Sequence, residues 1–180
     1  MKIPPNPWKL RFTRTVYENA WLRLREDTVT RPDGQAGIYG VVELRPSVGI
    51  VALNARREIA LVGQWRYPLG RYSWEIPRGG SQPGESDLLV VAQRELREEA
   101  GLRAQQWRLL AAVDLNNGVT TDVEHLFLAT GIECGAALPD PEEQIALRWV
   151  PFEAAVEMAL AGEISEVCSI AAILMAARAL

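Results

Sequence analysis

At 180 residues the chain is long enough for one domain, or one domain with an appended subdomain, and can bury a substantial core. Its 48% apolar residues and interspersed charges exclude disorder, and a net charge of −4 excludes the large basic footprint that duplex DNA demands. Nucleic acid and membrane are therefore not expected partners, although a local positive pocket is compatible with this balance. Almost all the basic residues are arginines, with only Lys2 and Lys9 as lysines. Arginine suits bidentate phosphate contacts, and GC-rich coding produces the same bias. Cys134 and Cys168 are far apart and lack CxxC spacing, which argues for buried free thiols over a disulfide or zinc framework. Met1 to Pro7 lacks the apolar core of a signal peptide, and the longest apolar run, Ile170 to Leu180, is too short to span a membrane. A cytoplasmic protein is expected.

In chain order, the first third reads as β. Alternation at Trp21-Leu22-Arg23-Leu24 precedes a turn at Arg31-Pro32-Asp33-Gly34 and a strand over Ile38 to Leu44. Apolar runs at Val48 to Leu53 and Ile59 to Trp65 flank Asn54-Ala55-Arg56-Arg57 and suggest a hairpin. A short strand at Ser73 to Ile76 breaks at Pro77. A helix is predicted over Asp87 to Ala100, with Leu89, Ala92, Leu96 and Ala100 on one apolar stripe and Gly101 as the stop. Strands follow at Trp107 to Leu115, Val123 to Ala129 and Ile145 to Val150, with a turn at Asn116-Asn117-Gly118 and an acidic, proline-bearing loop over Leu138 to Glu143. Helices over Phe152 to Ala161 and Ser165 to Ala177 close the chain. There is no internal repeat, and no regular βαβ alternation, so a mixed sheet with helices packed on it is expected.

The chemistry concentrates between Gly79 and Leu102. On a helix turning about 100° per residue, Glu95, Glu98 and Glu99 share an arc of about 100°. Like charges at these spacings repel by roughly 0.2–0.5 kcal/mol per pair, and a cation turns that repulsion into a binding site. Oxygen ligands without a soft neighbour suit Mg²⁺ or Mn²⁺ better than zinc. Taken alone, the three glutamates read first as a solvated acidic face with Arg94 and Arg97 as intrahelical partners, since charge runs on helices are common. The outline of a P-loop at Gly79 to Ser86 fails, because glutamate stands where phosphate binding needs lysine.

The whole segment resembles the Nudix box: a glycine, five residues, a glutamate, a spacer, then Arg94-Glu95-Leu96-Arg97-Glu98-Glu99-Ala100-Gly101-Leu102. Gly79 as the first glycine places Glu85 at the first glutamate, with eight residues before Arg94 where the family pattern has seven. Anchoring on Gly80 restores the total length and puts Ser86 at that position. Gly79 is preferred, since Glu75-Ile76-Pro77-Arg78-Gly79 and Pro83-Gly84-Glu85 then both sit in their usual places, with the extra residue absorbed around Ser86 to Leu88. The resemblance implies metal binding by Glu95 and Glu99, by Glu98 directly or through water, and by the backbone carbonyl of Arg78. It gives Glu98 a catalytic role and makes Gly79, Glu85, Arg94 and Gly101 structural, Glu85 and Arg94 tying loop to helix. The implied fold is α/β (α+β): a Nudix-type α/β/α sandwich with a mixed β-sheet and an N-terminal antiparallel β-segment. The implied reaction is attack of water on a substrate diphosphate, with Mg²⁺, or Mn²⁺ in its place, screening charge and stabilising the leaving phosphate.

Outside the box, Pro32-Asp33-Gly34, Val62-Gly63-Gln64-Trp65-Arg66-Tyr67-Pro68 and Trp74-Glu75-Ile76-Pro77 resemble the ADP-ribose and nucleoside diphosphate sugar pyrophosphatase branch. That likeness implies an N-terminal β-segment over residues 1–45 that helps form a homodimer, and a catalytic domain over 46–180. It also implies a late-loop glutamate in catalysis, with Glu143 first and Glu142 second, against simple loop solvation. Arg66 would meet substrate phosphate or a partner subunit, or form only a surface salt bridge. Glu75 would reach metal or substrate, and Trp21 and Trp65 would stack on a base, unless they serve a core or interface. Leu115 to Asp122 departs from the branch's proline-glycine turn, and His125 beside it reads as structural. The expected activity is conversion of ADP-ribose to AMP and ribose 5-phosphate. A dinucleoside polyphosphate or another nucleoside diphosphate sugar is an alternative substrate. A non-catalytic nucleotide-sensing module would be expected to have lost a carboxylate among Glu95, Glu98 and Glu99, all of which are present. An isomerase on the same fold would need further cysteine and histidine ligands.

Overall fold

The computed structural model describes residues 3–135 and 144–180. The strands are β1 (Lys9–Glu18), β2 (Leu22–Thr30), β3 (Ala36–Leu44), β4 (Ser47–Ala52), β5 (Glu58–Arg66), β6 (Arg71–Glu75), β7 (Arg78–Gly80), β8 (Leu102–Asp114), β9 (Val123–Cys134) and β10 (Ala146–Pro151). The helices are α1 (Leu88–Ala100), α2 (Phe152–Leu160) and α3 (Val167–Ala179). The fold is mixed α+β. Among the described residues, no helix is long and apolar enough to cross a membrane. The chain divides into two compact units, Met1–Arg45 with Asp114–Asp122, and Pro46–Val113 with Val123–Leu180.

The first unit is an antiparallel sheet in the order β1-β2-β3. Asn19 closes the β1–β2 turn by accepting the N–H groups of Trp21 and Leu22, each at 2.9 Å. At the β2–β3 turn, Gly34 has φ +83° and donates to the Arg31 carbonyl at 2.9 Å. β1 is absent from the sequence reading, and all ten of its residues are exposed. Alternation marks a strand only when one face is buried, and β1 buries neither. Residues 114–122 join this unit because the chain there binds β3. Val42 donates to Val119 at 2.9 Å, Thr121 donates to Val42 at 3.1 Å, and the Tyr39 hydroxyl donates to the Gly118 carbonyl at 2.8 Å.

The second unit holds two sheets, β7-β4-β9-β8 and β10-β5-β6. β4 runs parallel to β9 and antiparallel to β7, so this sheet is mixed. Every residue of β4 is buried, as expected for a central strand covered on both faces. Val48, Ile50 and Ala52 join Ala60 and Val62 of β5, Phe127 and Ala129 of β9, and Val91, Ala92 and Leu96 of α1 in one core. α3 packs on β4 and β9, and α2 on β5. The expected hairpin between the fourth and fifth strands does not form a ladder, because the two strands belong to different sheets. Asn54 to Arg57 does turn, with Arg57 at φ +58°, but only the bridge Leu53↔Ile59 links the strands before they enter different sheets. β7 takes the edge of β4 along Ser47 to Gly49 and β9 takes the other edge, while β5 pairs with β6 and β10.

α1 is the element that carries the acidic residues, and its ends are locally encoded. Asp87 accepts the Leu89 N–H at 3.0 Å as the N-cap. Gly101, at φ +64°, ends the helix by donating to the Arg97 carbonyl at 3.0 Å, a left-handed conformation that costs any other residue more.

Candidate active site

The acidic face of α1 lies against β7, and the β4–β7 ladder determines which main-chain groups of β7 meet it. Ile50 donates to Pro77 and Ser81 to Pro46, each at 2.9 Å, with Val48 opposite Gly79 between them. In an antiparallel pair, alternate residues turn their N–H and C=O toward and away from the partner strand. Pro77 and Gly79 therefore address β4, while Arg78 and Gly80 turn outward to α1. The Arg78 N–H donates to Glu99 at 2.8 Å, and the Gly80 carbonyl accepts from Arg94 at 3.0 Å. The Arg78 carbonyl lies on the same outward edge as its N–H. Gly79 permits the close approach, since a Cβ there would stand 2.2 Å from the Glu95 carboxyl carbon.

Arg94 organises the carboxylates. It donates to Glu85 through Nε and Nη2, both at 3.2 Å, and through Nη1 to Glu95 and Glu98, both at 2.8 Å. Glu85 also accepts the Gln82 N–H at 2.7 Å, which folds the loop back onto the helix. Burial disfavours the Arg94 cation, but hydrogen bonds to Glu85 and Glu98 and the charges of Glu95 and Glu98 outweigh it, so its pKa is raised. Glu85 is held below the usual carboxylate range by the Arg94 hydrogen bond and then by the Gln82 N–H. The structure thus brings Glu85 and Arg94 together across the loop. Between Glu85 and the helix lie only Ser86 and the cap Asp87.

Glu95 and Glu99 are buried and Glu98 is half-buried. Among the described residues, no three ligating side chains converge as the side chains now stand. Glu95 and Glu98 turn to Arg94, and Glu99 turns to the Arg78 N–H. The donor set nevertheless fits a hard divalent ion: three carboxylates on one helix face, an adjacent main-chain edge, and a glycine cradle that a side chain would fill.

Arg66 and Glu75 are brought together as a bidentate pair, with Nε to Oε1 at 2.9 Å and a second bond from Nη2 to Oε2. Burial opposes charge on Glu75, but the Arg66 hydrogen bonds and charge, the Ser73 hydroxyl and Arg78 prevail, so its pKa is lowered. Trp65 is 63% exposed on β5. Trp21 lies in the first unit and is 76% exposed. Glu142 and Glu143 lie outside the described residues. His125, on β9 opposite Val48, has a buried Nδ1 without a hydrogen-bond partner among the described residues.

A cluster behind β7 was absent from the sequence reading. Glu124 of β9 is completely buried and accepts two bonds from the Arg78 guanidinium, one from Nε at 3.2 Å and one from Nη2. The Ser47 hydroxyl lies 3.3 Å from the same carboxylate. Arg78 Nη1 is 3.6 Å from Glu166, which caps α3 by accepting the N–H groups of Cys168 and Ser169 at 2.9 and 2.7 Å. Burial works against the Arg78 cation, but Glu124 and then Glu166 outweigh it and raise its pKa. The Cys168 thiol is pushed up by burial and then by Glu124 and Glu166, which keeps it protonated; Cys134, expected to be buried as well, is exposed at the end of β9. A charged residue in the apolar run Val123 to Ala129 was the available signal, because a buried carboxylate requires a cation.

The NUDIX domain family matches residues 43–168, and the N-terminal domain of nucleoside diphosphate sugar hydrolases matches residues 8–42. An ADP-ribose pyrophosphatase of Mycobacterium tuberculosis (strain ATCC 25618 / H37Rv) is 35% identical over 164 residues, which is 90% of this chain and 79% of that protein. A methanol dehydrogenase activator of Bacillus methanolicus is 32% identical over 133 residues, 72% of this chain and 71% of that protein. The crystal structure of an ADP compounds hydrolase superposes with a TM-score of 0.85 at 18% identity, covering 98% of this chain and 96% of that one, and shows the same fold. The chain belongs to the NUDIX domain family and is a Nudix hydrolase. Hydrolases of this family generally use divalent metal ions.

Proposed function

We propose that the protein hydrolyses the diphosphate linkage of ADP-ribose to AMP and ribose 5-phosphate, with Mg²⁺ as its metal and Mn²⁺ as a substitute. The observation that carries hydrolysis is the meeting of the Glu95, Glu98 and Glu99 face with the outward main-chain edge of β7. Support for the substrate comes from the M. tuberculosis relative, whose likeness extends over 90% of this chain. Glu95, Glu99 and the Arg78 carbonyl would hold the metal, which supplies charge neutralisation on the diphosphate and a more acidic water. Glu98, the most exposed of the three, would orient that water or accept its proton. Arg94 balances the carboxylates until metal enters. Arg66, fixed by Glu75, presents a cation for substrate phosphate. We further infer a homodimer formed through the N-terminal sheet and a cytoplasmic location.

The test is AMP release from ADP-ribose by the purified protein in Mg²⁺, in Mn²⁺ and in chelator, beside Glu99→Gln. Metal-dependent release that the substitution abolishes is expected. An intact substrate in both metals would overturn the substrate assignment. A second reading, another nucleoside diphosphate sugar, is favoured by the family match at residues 8–42, and a panel of such sugars decides between them.

A further inference from the structure

We propose that Arg78 is a positioning residue, whose side chain braces β7 from behind so that its own main chain holds Glu99 at the metal edge. The proposal rests on the metal-site reading above and does not depend on which substrate is cleaved.

The two ends of Arg78 do different work. Its N–H meets Glu99 of α1 at 2.8 Å, and its guanidinium lies among carboxylates from three other elements. These are Glu124 of β9 in a bidentate pair, Glu166 at the start of α3 at 3.6 Å, and Glu75 at the end of β6 at 4.0 Å. β7 has only three residues and pairs with one strand, so its ladder alone is a weak anchor. The guanidinium fork links that short strand to β6, β9 and α3 at once. Glu75 also holds Arg66, so the same brace extends to the candidate phosphate cation. Glu166 in turn is held by the N–H groups that begin α3, and by the Ser169 hydroxyl at 2.8 Å. That same hydroxyl oxygen accepts the Ile76 N–H at 3.0 Å, which ties the segment just before β7 to α3 by a second route.

Groups that orient metal-binding residues without touching the ion typically change affinity or activity by about 10- to 100-fold when removed. A purely structural ion pair would instead be replaceable by apolar side chains of similar volume with little effect on function. The two cases separate in the double variant R78M/E124L, which removes the buried pair without stranding either charge. Its folding is checked by circular dichroism. Mn²⁺ affinity is read by electron paramagnetic resonance without substrate, and the exchange rate of the residue 78 amide by hydrogen exchange. Expected are a folded protein, a Mn²⁺ dissociation constant raised about 10-fold or more, faster exchange at residue 78, and a lower kcat with KM little changed. R78K, which keeps the charge and loses the fork, should show the same changes in smaller measure, and is decisive if the double variant does not fold. Wild-type Mn²⁺ affinity and amide protection in either folded variant would overturn the brace. Wild-type protein that binds Mn²⁺ yet leaves ADP-ribose intact would sink only the substrate assignment.

Discussion

Gly79 and Arg94 show how much of this site depends on single side chains. A methyl group on Gly79 would enter the Glu95 carboxylate, at 2.2 Å from its carbon, and that carboxylate would have to swing away and loosen its 2.8 Å bond from Arg94. Gly79→Ala is therefore expected to displace Glu95 and weaken Mn²⁺ binding. Misplacement by about 1 Å costs catalysis about 100-fold, so kcat/KM should fall by that order. Steady-state kinetics with a Mn²⁺ titration check this, and an Ala variant with unchanged constants would mean that Glu95 does not act from this position. Arg94 joins Glu85, Glu95, Glu98 and the Gly80 carbonyl, so its identity matters more than its charge. Lysine cannot reach four groups with one ammonium.

At the scale of the element, α1 is both a core helix and the carrier of the carboxylates. Val91, Ala92, Leu96 and Ala100 are buried with the sheet, while Glu95 and Glu99 are buried against β7. Its position is thus tied to packing, and its start to Asp87. Asp87→Ala should cost about 1 kcal/mol. For a chain of this length that is about 2–4 °C in Tm. Because α1 is held along its whole apolar face, kcat should stay near wild type. Thermal melts and kinetics on the same preparation test the pair of statements, and a large loss of kcat at unchanged Tm would contradict them. The helix was legible in sequence, since its stripe and terminal glycine are local signals, although Asp87 proved to be its cap and not its first residue. β1 and the divergence of β4 from β5 were not, because both depend on which strand edges other segments occupy.

For the whole molecule, buried carboxylates link stability to pH. Glu75 has its pKa lowered below the ordinary glutamate value of 4.5. The unfolded chain therefore takes up its proton first as pH falls. The stability this pair contributes is complete above that ordinary value and is lost as pH drops through it toward the lower folded value. Glu85 is shifted the same way and adds to the trend. Urea unfolding at steps from pH 7 to pH 3 should show a plateau at the upper end and a decline beginning near pH 5. A flat profile down to pH 3 would show that these ion pairs contribute nothing to the folded state.

The sequence by itself determined the family, the mixed α+β class and the face shared by Glu95, Glu98 and Glu99. Those features rest on spacing along one helix and one loop, where neighbours in sequence are neighbours in space. It also marked Arg66 and Glu75 as separate candidates without indicating that they bind each other. Only the tertiary structure decided that pairing, the meeting of Arg78 and Glu99, and the burial of Glu124 behind them. Each joins residues 9, 21 or 46 positions apart, through strand pairing and helix packing that no local pattern records. Buried charges find partners by fold, and the fold is settled by all the apolar surface at once.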